Sequence, residues 1–239
     1  MYPLDSSRRS FFRLGYGALG LAASVGALSS HAAEGPKTTM TPEQALAKLK
    51  QGHADFLNDK PTPKNMLDSD RRLAISRAQV PFAVLVGCSD SRVPPELLFD
   101  TGLGELFIVR NAGNTIDTVA MGSIQYAVQV LNVPLVLVLG HERCGAVDAA
   151  VSVVEKNTVF PGSIGQMVEP IIPAVLKAKA MGAAGEGLLD GAVRENVRRT
   201  VERLRTGEPT LADPIKAGKL MVVGARYDLD DGKVDFFVQ

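Results

Sequence analysis

Four short apolar runs constrain the fold of this chain more than any other feature: Phe82-Ala83-Val84-Leu85-Val86, Leu106-Phe107-Ile108-Val109, Leu135-Val136-Leu137-Val138-Leu139 and Leu220-Met221-Val222-Val223-Gly224. None alternates apolar with polar residues. A strand with one face in water must alternate, so these runs read as strands buried on both faces, as in a parallel sheet covered by helices. The intervening sequence supplies the helices. Thr41-Pro42-Glu43 starts one over 41–57, with Ala45, Leu46, Leu49, Ala54, Phe56 and Leu57 at mostly helical spacing. Ile116, Val119, Ala120, Ile124, Ala127, Val128 and Leu131 mark one face of another. Further helices are expected from Cys144 to about Val154, from Glu169 to Ala180 and from Asp190 to Arg205, with a Pro/Gly-containing loop near Phe160. The turn signal Asp230-Asp231-Gly232 leads into an antiparallel edge strand, Val234 to Val238. The fold class is therefore α/β, a mostly parallel central sheet flanked by helices.

The N-terminus is read separately. Ser7-Arg8-Arg9-Ser10-Phe11-Phe12-Arg13 precedes a bland run from Leu14 to Ser30, which reads as a twin-arginine export signal spanning residues 1–32, and Ser30-His31-Ala32 places cleavage after Ala32. The expected location is periplasmic or otherwise exported, with the twin-arginine machinery as a partner and no stable membrane anchor. Residues 33–239 then form a single domain: the helix at 41–57, a connector at 58–80 carrying Pro61 and Pro63, and an α/β core at 81–239. Lysine plus arginine and aspartate plus glutamate both number 26, and no basic stripe interleaves with aromatics, so the footprint of a nucleic-acid binder is missing. Gly102-Leu103-Gly104 is too incomplete for a dinucleotide fingerprint.

The chain has two cysteines, and both sit at the ends of apolar runs: Cys88-Ser89-Asp90-Ser91-Arg92 after the first and His141-Glu142-Arg143-Cys144-Gly145 after the third. Two cysteines in an exported protein ordinarily suggest one disulfide. The histidine three residues before Cys144 and the aspartate two after Cys88 favour a metal instead. Two thiolates and an imidazole select Zn²⁺, and three protein ligands leave a fourth position for water or substrate. Two neighbouring strand ends would deliver Cys88 and His141 to the crevice beyond the carboxyl edge of a parallel sheet. The spacing of His141 and Cys144 is one helical turn, which would aim both at one ion, with Gly145 allowing a tight backbone turn.

Together the two motifs resemble the signatures of the β-class carbonic anhydrases, Cys-x-Asp-x-Arg and His-x-x-Cys. The resemblance runs from about Leu46 to Val238 and takes in Gln79, Phe107, the segment Arg110-Asn111-Ala112-Gly113-Asn114, Tyr126 and the segment Gly224-Ala225-Arg226-Tyr227-Asp228. It implies one Zn²⁺ per chain on Cys88, His141 and Cys144, and a catalytic dyad of Asp90 and Arg92. It further implies substrate contact by Gln79 and a pocket lined by Phe107 and Tyr126. The implied reaction is reversible hydration of carbon dioxide to bicarbonate and a proton by zinc-bound hydroxide. The implied assembly is a homodimer or multiple of dimers with the site at the subunit interface. Two thiolates neutralise the formal charge of the ion, so water on it should be less acidic than at a three-histidine site, and surrounding groups must compensate. Some family members rest with this aspartate as fourth zinc ligand, and they share a tryptophan pocket. This chain has no tryptophan, which favours the open form. His53 on the first helix is read as a solvated histidine, and no proton shuttle is identified. Two other readings remain: hydrolysis of carbonyl sulfide or carbon disulfide on the same scaffold, and a non-catalytic exported protein that binds zinc or bicarbonate.

Overall fold

A computed structural model describes residues 35–60, 63 and 66–239; the export signal expected at 1–32 lies outside them. The apolar runs form β1 (Ala83–Gly87), β2 (Leu106–Arg110), β3 (Leu135–His141) and β4 (Met221–Tyr227), followed by β5 (Val234–Val238). They make one sheet of order β2-β1-β3-β4-β5, parallel throughout except for the antiparallel pairing of β4 with β5. Every residue of β1 and β3 is buried, as unbroken apolar runs require.

The helices are α1 (Pro42–Leu57), α2 (Ser69–Ile75), α3 (Pro95–Leu98), α4 (Thr118–Gln129), α5 (Gly145–Lys156), α6 (Ser163–Val168), α7 (Ile172–Ala180), α8 (Glu186–Thr206) and α9 (Pro209–Lys216). Among the described residues, no helix is long and apolar enough to cross a membrane. One face of the sheet, with Val84, Val136, Val138 and Val222, packs against α4, α8 and α9. The other, with Leu85, Leu137, Leu139 and Val223, packs against α1 and α3. Thr41 and Gln44 form a reciprocal capping box that starts α1.

The helices depart from the sequence expectation in several places, the short unexpected helices α3 and α6 among them. Helix α2 lies inside the stretch expected as a connector. Its seven residues include none that is buried, so no apolar period advertises it. Helix α9 carries Pro214 in its interior. The proline leaves the Thr210 carbonyl without its helical donor, and the Gln129 side chain donates to that oxygen instead. In α4 the buried face is Ala120, Met121, Ile124, Ala127 and Val128, whereas Val119 points outward and is 77% exposed.

Helix α8 approaches the sheet unusually closely. A Cβ on Gly140 would lie 2.7 Å from Val197 Cγ2, and one on Gly224 would lie 2.7 Å from Val197 Cγ1. Val197 thus sits in a notch made by two adjacent strands, and the notch sets the register of α8.

His53 is buried rather than solvated. Its Nδ1 lies 3.0 Å from the Leu98 carbonyl and its Nε2 accepts the Val234 amide at 3.0 Å, which fixes the Nδ1–H tautomer. The residue ties α1 to the end of α3 and the start of β5, a structural role.

Candidate metal centre

Cys88 follows β1 directly, and His141 is the last residue of β3. Because Gly87 pairs with Leu139, Cys88 stands level with Gly140, one residue short of His141 on the neighbouring strand. Cys144 arrives differently from expectation. His141 to Cys144 is not a helical turn: His141 is in a strand, Arg143 takes a left-handed backbone (φ 50°), and Cys144 is the N-cap of α5. The reversal falls at Arg143, not at Gly145. Arg143 is held there by a two-pronged contact with Asp230, at 2.6 and 2.9 Å.

The ligand atoms of Cys88, His141 and Cys144 lie within 4.8 Å of one another, all buried. Both cysteines are free, with their sulfurs 3.9 Å apart. Two sulfurs each about 2.3 Å from one tetrahedral zinc stand roughly 3.8 Å apart, so the pair is already spaced for a shared ion. His141 Nδ1–H donates to the Glu142 carbonyl at 2.9 Å, leaving Nε2 with a free lone pair. Among the described residues, the buried side-chain nitrogens and oxygens without a hydrogen-bond partner are His141 Nε2 and Asn114 Nδ2. An imidazole lone pair buried without a donor is costly unless a metal receives it. The donor set, the spacing and the orphaned nitrogen all fit zinc.

The thiols are unequal. Cys144 hydrogen-bonds to Cys88 and pulls its pKa well below the usual thiol range, helped by His141 and the Gly113 amide and opposed by burial. The same bond to Cys88, together with burial, pushes Cys144 up. One thiol of the pair is thus easier to ionise than the other, and a metal that takes both as thiolates has to displace the protons that remain.

Asp90 and Arg92 form a two-pronged pair beside this cluster. Arg92 Nε donates to Asp90 Oδ1 at 3.0 Å and Nη2 to Oδ2 at 2.7 Å, while the Arg92 amide also reaches Oδ1. These bonds hold the Asp90 carboxyl far below its ordinary range. Asp90 Oδ2 lies 3.8 Å from His141 Nε2, so the carboxylate faces the position an ion would take.

Supporting residues close the shell. Arg110, the last residue of β2, donates to the Cys88 carbonyl at 2.7 Å and to the Asp90 carbonyl at 2.6 Å, pinning the loop that carries both. The Gly113 amide donates to Cys88 Sγ at 3.2 Å. Gly113 has φ 67°, and a Cβ there would lie 2.7 Å from Ile171 Cδ1, so only glycine fits. Behind His141, Glu142 accepts the Leu229 amide and faces Arg226, which also pairs with Asp190 and Asp228. The segments around Arg110 and Arg226 were visible in sequence, but their contacts with the ligand loops were not. Asn196, whose amide reaches the Gly113 carbonyl, carried no sequence signal at all.

Gln79, Phe107 and Tyr126 are not brought to this cluster. Phe107 pairs with Val84, four positions up β1 from Cys88, about 13 Å at the usual strand rise. Its ring lies 6.4 Å from that of Tyr126, and Tyr126 and Gln79 line a cavity of about 180 Å³ with Val130 and Leu131. All three gather near the half-buried edge strand β2.

The family profile described as carbonic anhydrase matches residues 83–234. Carbonic anhydrase 2 of Mycobacterium tuberculosis is 40% identical over 192 residues, 80% of this chain and 91% of that protein. The carbonic anhydrase of Mycolicibacterium smegmatis is 41% identical over 194 residues, 81% of this chain and 92% of that protein. Among solved structures, the β-carbonic anhydrase CcaA superposes with a TM-score of 0.62 at 27% identity, covering 81% of this chain and 99% of that one. The Coccomyxa β-carbonic anhydrase in complex with acetazolamide gives 0.64 at 28% identity, covering 81% and 85%.

The acidic network behind His141 has a pH signature. Arg226, with the Asp230 and Asp231 amides, holds the Asp228 carboxyl at about 2 against an ordinary 3.8. A depressed carboxyl stabilises the fold above the unfolded value and loses that contribution as pH falls through the folded one. Asp228→Asn should therefore unfold at lower denaturant than the parent by a constant gap above about pH 4, and the gap should close toward pH 2. Urea midpoints measured across that range for both proteins check this, and a gap that does not depend on pH contradicts it.

Proposed function

Since this chain belongs to the β-carbonic anhydrase family and is a carbonic anhydrase, we propose that it hydrates carbon dioxide reversibly at a zinc ion held by Cys88, His141 and Cys144, with Asp90 and Arg92 as the catalytic pair. The observation that carries this is the buried, unpartnered Nε2 of His141 between two free thiols, with the Asp90 carboxylate 3.8 Å away. Bound zinc supplies the Lewis acidity that makes water a nucleophile near neutral pH. Asp90, kept ionised by Arg92, accepts a hydrogen bond from the attacking oxygen and turns its lone pair toward the carbon of the substrate. Carbon dioxide and water give bicarbonate and a proton. His53 has both ring nitrogens occupied in the core, so the proton leaves through solvent and buffer. Arg92 engages both Asp90 oxygens, which supports the open form of the site.

The substrate contacts come from a second subunit in this reading. Gln79 and Tyr126 are exposed at one sheet edge and Phe107 stands beside them, so a partner chain pairing through that edge would carry them to the metal. There the Gln79 amide would donate to the charge developing on the oxygens of the substrate. Residues 1–32 act as the twin-arginine signal and deliver the enzyme outside the cytoplasm, a reading that rests on Arg8-Arg9 and the bland run after them.

Stopped-flow hydration, with zinc content measured on the same sample, is the first test. Activity is expected at one zinc per chain from about pH 6.5 to 9, and Asp90→Asn should lower it on the order of 100-fold with zinc retained. Activity confined above about pH 8 would indicate the closed form. Full zinc with no hydration would sink the reading and turn attention to carbonyl sulfide and carbon disulfide, then to binding alone. Subunit sharing is tested by mixing two impaired variants, Gln79→Ala and Cys88→Ala, under conditions of subunit exchange. A shared site regains activity in the heterodimer, and a site built within one chain does not. Export is tested by fractionating cells that express Arg8→Lys/Arg9→Lys, which should retain the enzyme in the cytoplasm.

A further inference from the structure

We propose that Asn196 is a positioning residue for the metal ligand Cys88, acting through the Gly113 peptide. The inference rests on the zinc reading of Cys88, His141 and Cys144. Asn196 lies on α8, is 5% exposed, and its Nδ2 donates to the Gly113 carbonyl at 2.8 Å. Gly113 in turn donates its amide to Cys88 Sγ at 3.2 Å. The two bonds lie on opposite sides of one α-carbon that carries no side chain. Glycine has the widest backbone freedom of any residue, so nothing in its own chemistry aims that amide at the sulfur. A donor on the carbonyl side removes the freedom and leaves the amide pointed.

The donor is itself rigidly placed. Val197, the next residue, fills the notch over Gly140 and Gly224, and Gly140 immediately precedes His141. One helix register therefore sets two things: the strand end that presents His141, and the amide that steers the Gly113 bond to Cys88. A shift of α8 would disturb both ligands together.

The bond has a chemical use at a site with two thiolates. An N–H donor draws electron density from a thiolate, so the sulfur gives less charge to the ion and the ion stays a stronger Lewis acid. An asparagine that merely filled the core would have no such effect. The two roles therefore differ in what they do to the metal, beyond what they do to stability.

The test uses the full-length protein with its metal exchanged. In ¹⁵N-labelled protein loaded with ¹¹³Cd, the Gly113 amide should show scalar coupling to the cadmium through the sulfur. In the cobalt form, Asn196→Ala should shift the thiolate-to-cobalt charge-transfer band, weaken that coupling in the cadmium form, and lower kcat about tenfold or more in the zinc form with KM little changed. Asn196→Leu keeps the volume but cannot donate, and should behave as Asn196→Ala does. Thr200→Ala, one turn further along α8 and also buried, should leave both spectra unchanged whatever it does to stability. Should Asn196→Ala fail to fold, Asn196→Ser takes its place in every measurement. A bound metal with no coupling to Gly113 in the parent, or with coupling and band unchanged when Asn196 is replaced, overturns the inference and leaves the zinc site standing. Failure of the parent to bind cadmium or cobalt at all overturns both.

Discussion

The parallel pairing of β1 with β3 is the constraint on which the rest of this molecule depends. With Gly87 opposite Leu139, the chain leaves β1 at Cys88 just where the neighbouring strand reaches His141. A slip of one residue would turn every side chain of the strand to the opposite face. That slip would also exchange the two apolar sets that the helices on either side require, so burial of the sheet enforces the placement of Cys88 beside His141. The centre is thus a by-product of core packing at almost no added conformational cost.

What the core cannot supply is compensation for burying two cysteine sulfurs and an imidazole at one point. The protein answers with fixed hydrogen-bond donors. Arg110 pins the loop from Cys88 to Asp90 by two carbonyls, Gly113 gives an amide to the sulfur, and the Glu142 carbonyl selects the histidine tautomer. Each bond is individually modest, but together they hold the sulfurs and the imidazole at metal-binding spacing. The arrangement leaves His141 Nε2 without a hydrogen-bond partner, a lone pair that zinc would engage.

Legibility in the sequence followed burial. The strands could be read because a strand covered on both faces has no room for polar alternation, and α1 because its capping box and apolar period coincide. Helix α2 escaped notice because nothing on it is buried, and α9 because its interior proline is compensated by Gln129, a residue distant in sequence. His53 was misjudged on residue type: a histidine looks solvated until α3 and β5 close over it, although Leu49, Phe56 and Leu57 share its helix face. Of the site, the Cys88–His141–Cys144 cluster and the Asp90–Arg92 ion pair were legible because short spacings tie these residues together. Asn196 was not, since its partner lies on an element that meets α8 only in the folded state.

By itself the sequence determined the α/β class, the residues able to hold zinc and the charge pair beside them, because residue type and local spacing carry that information. The tertiary structure decided how Cys144 reaches the cluster, through a left-handed Arg143 at a strand end rather than a helical turn. It also decided which buried donors steady the sulfur, and that Gln79, Phe107 and Tyr126 stand apart from the metal ligands within one chain. Those outcomes depend on strand register and on the close seating of α8 over Gly140 and Gly224. Contacts of that kind join residues far apart along the chain, and no local spacing encodes them.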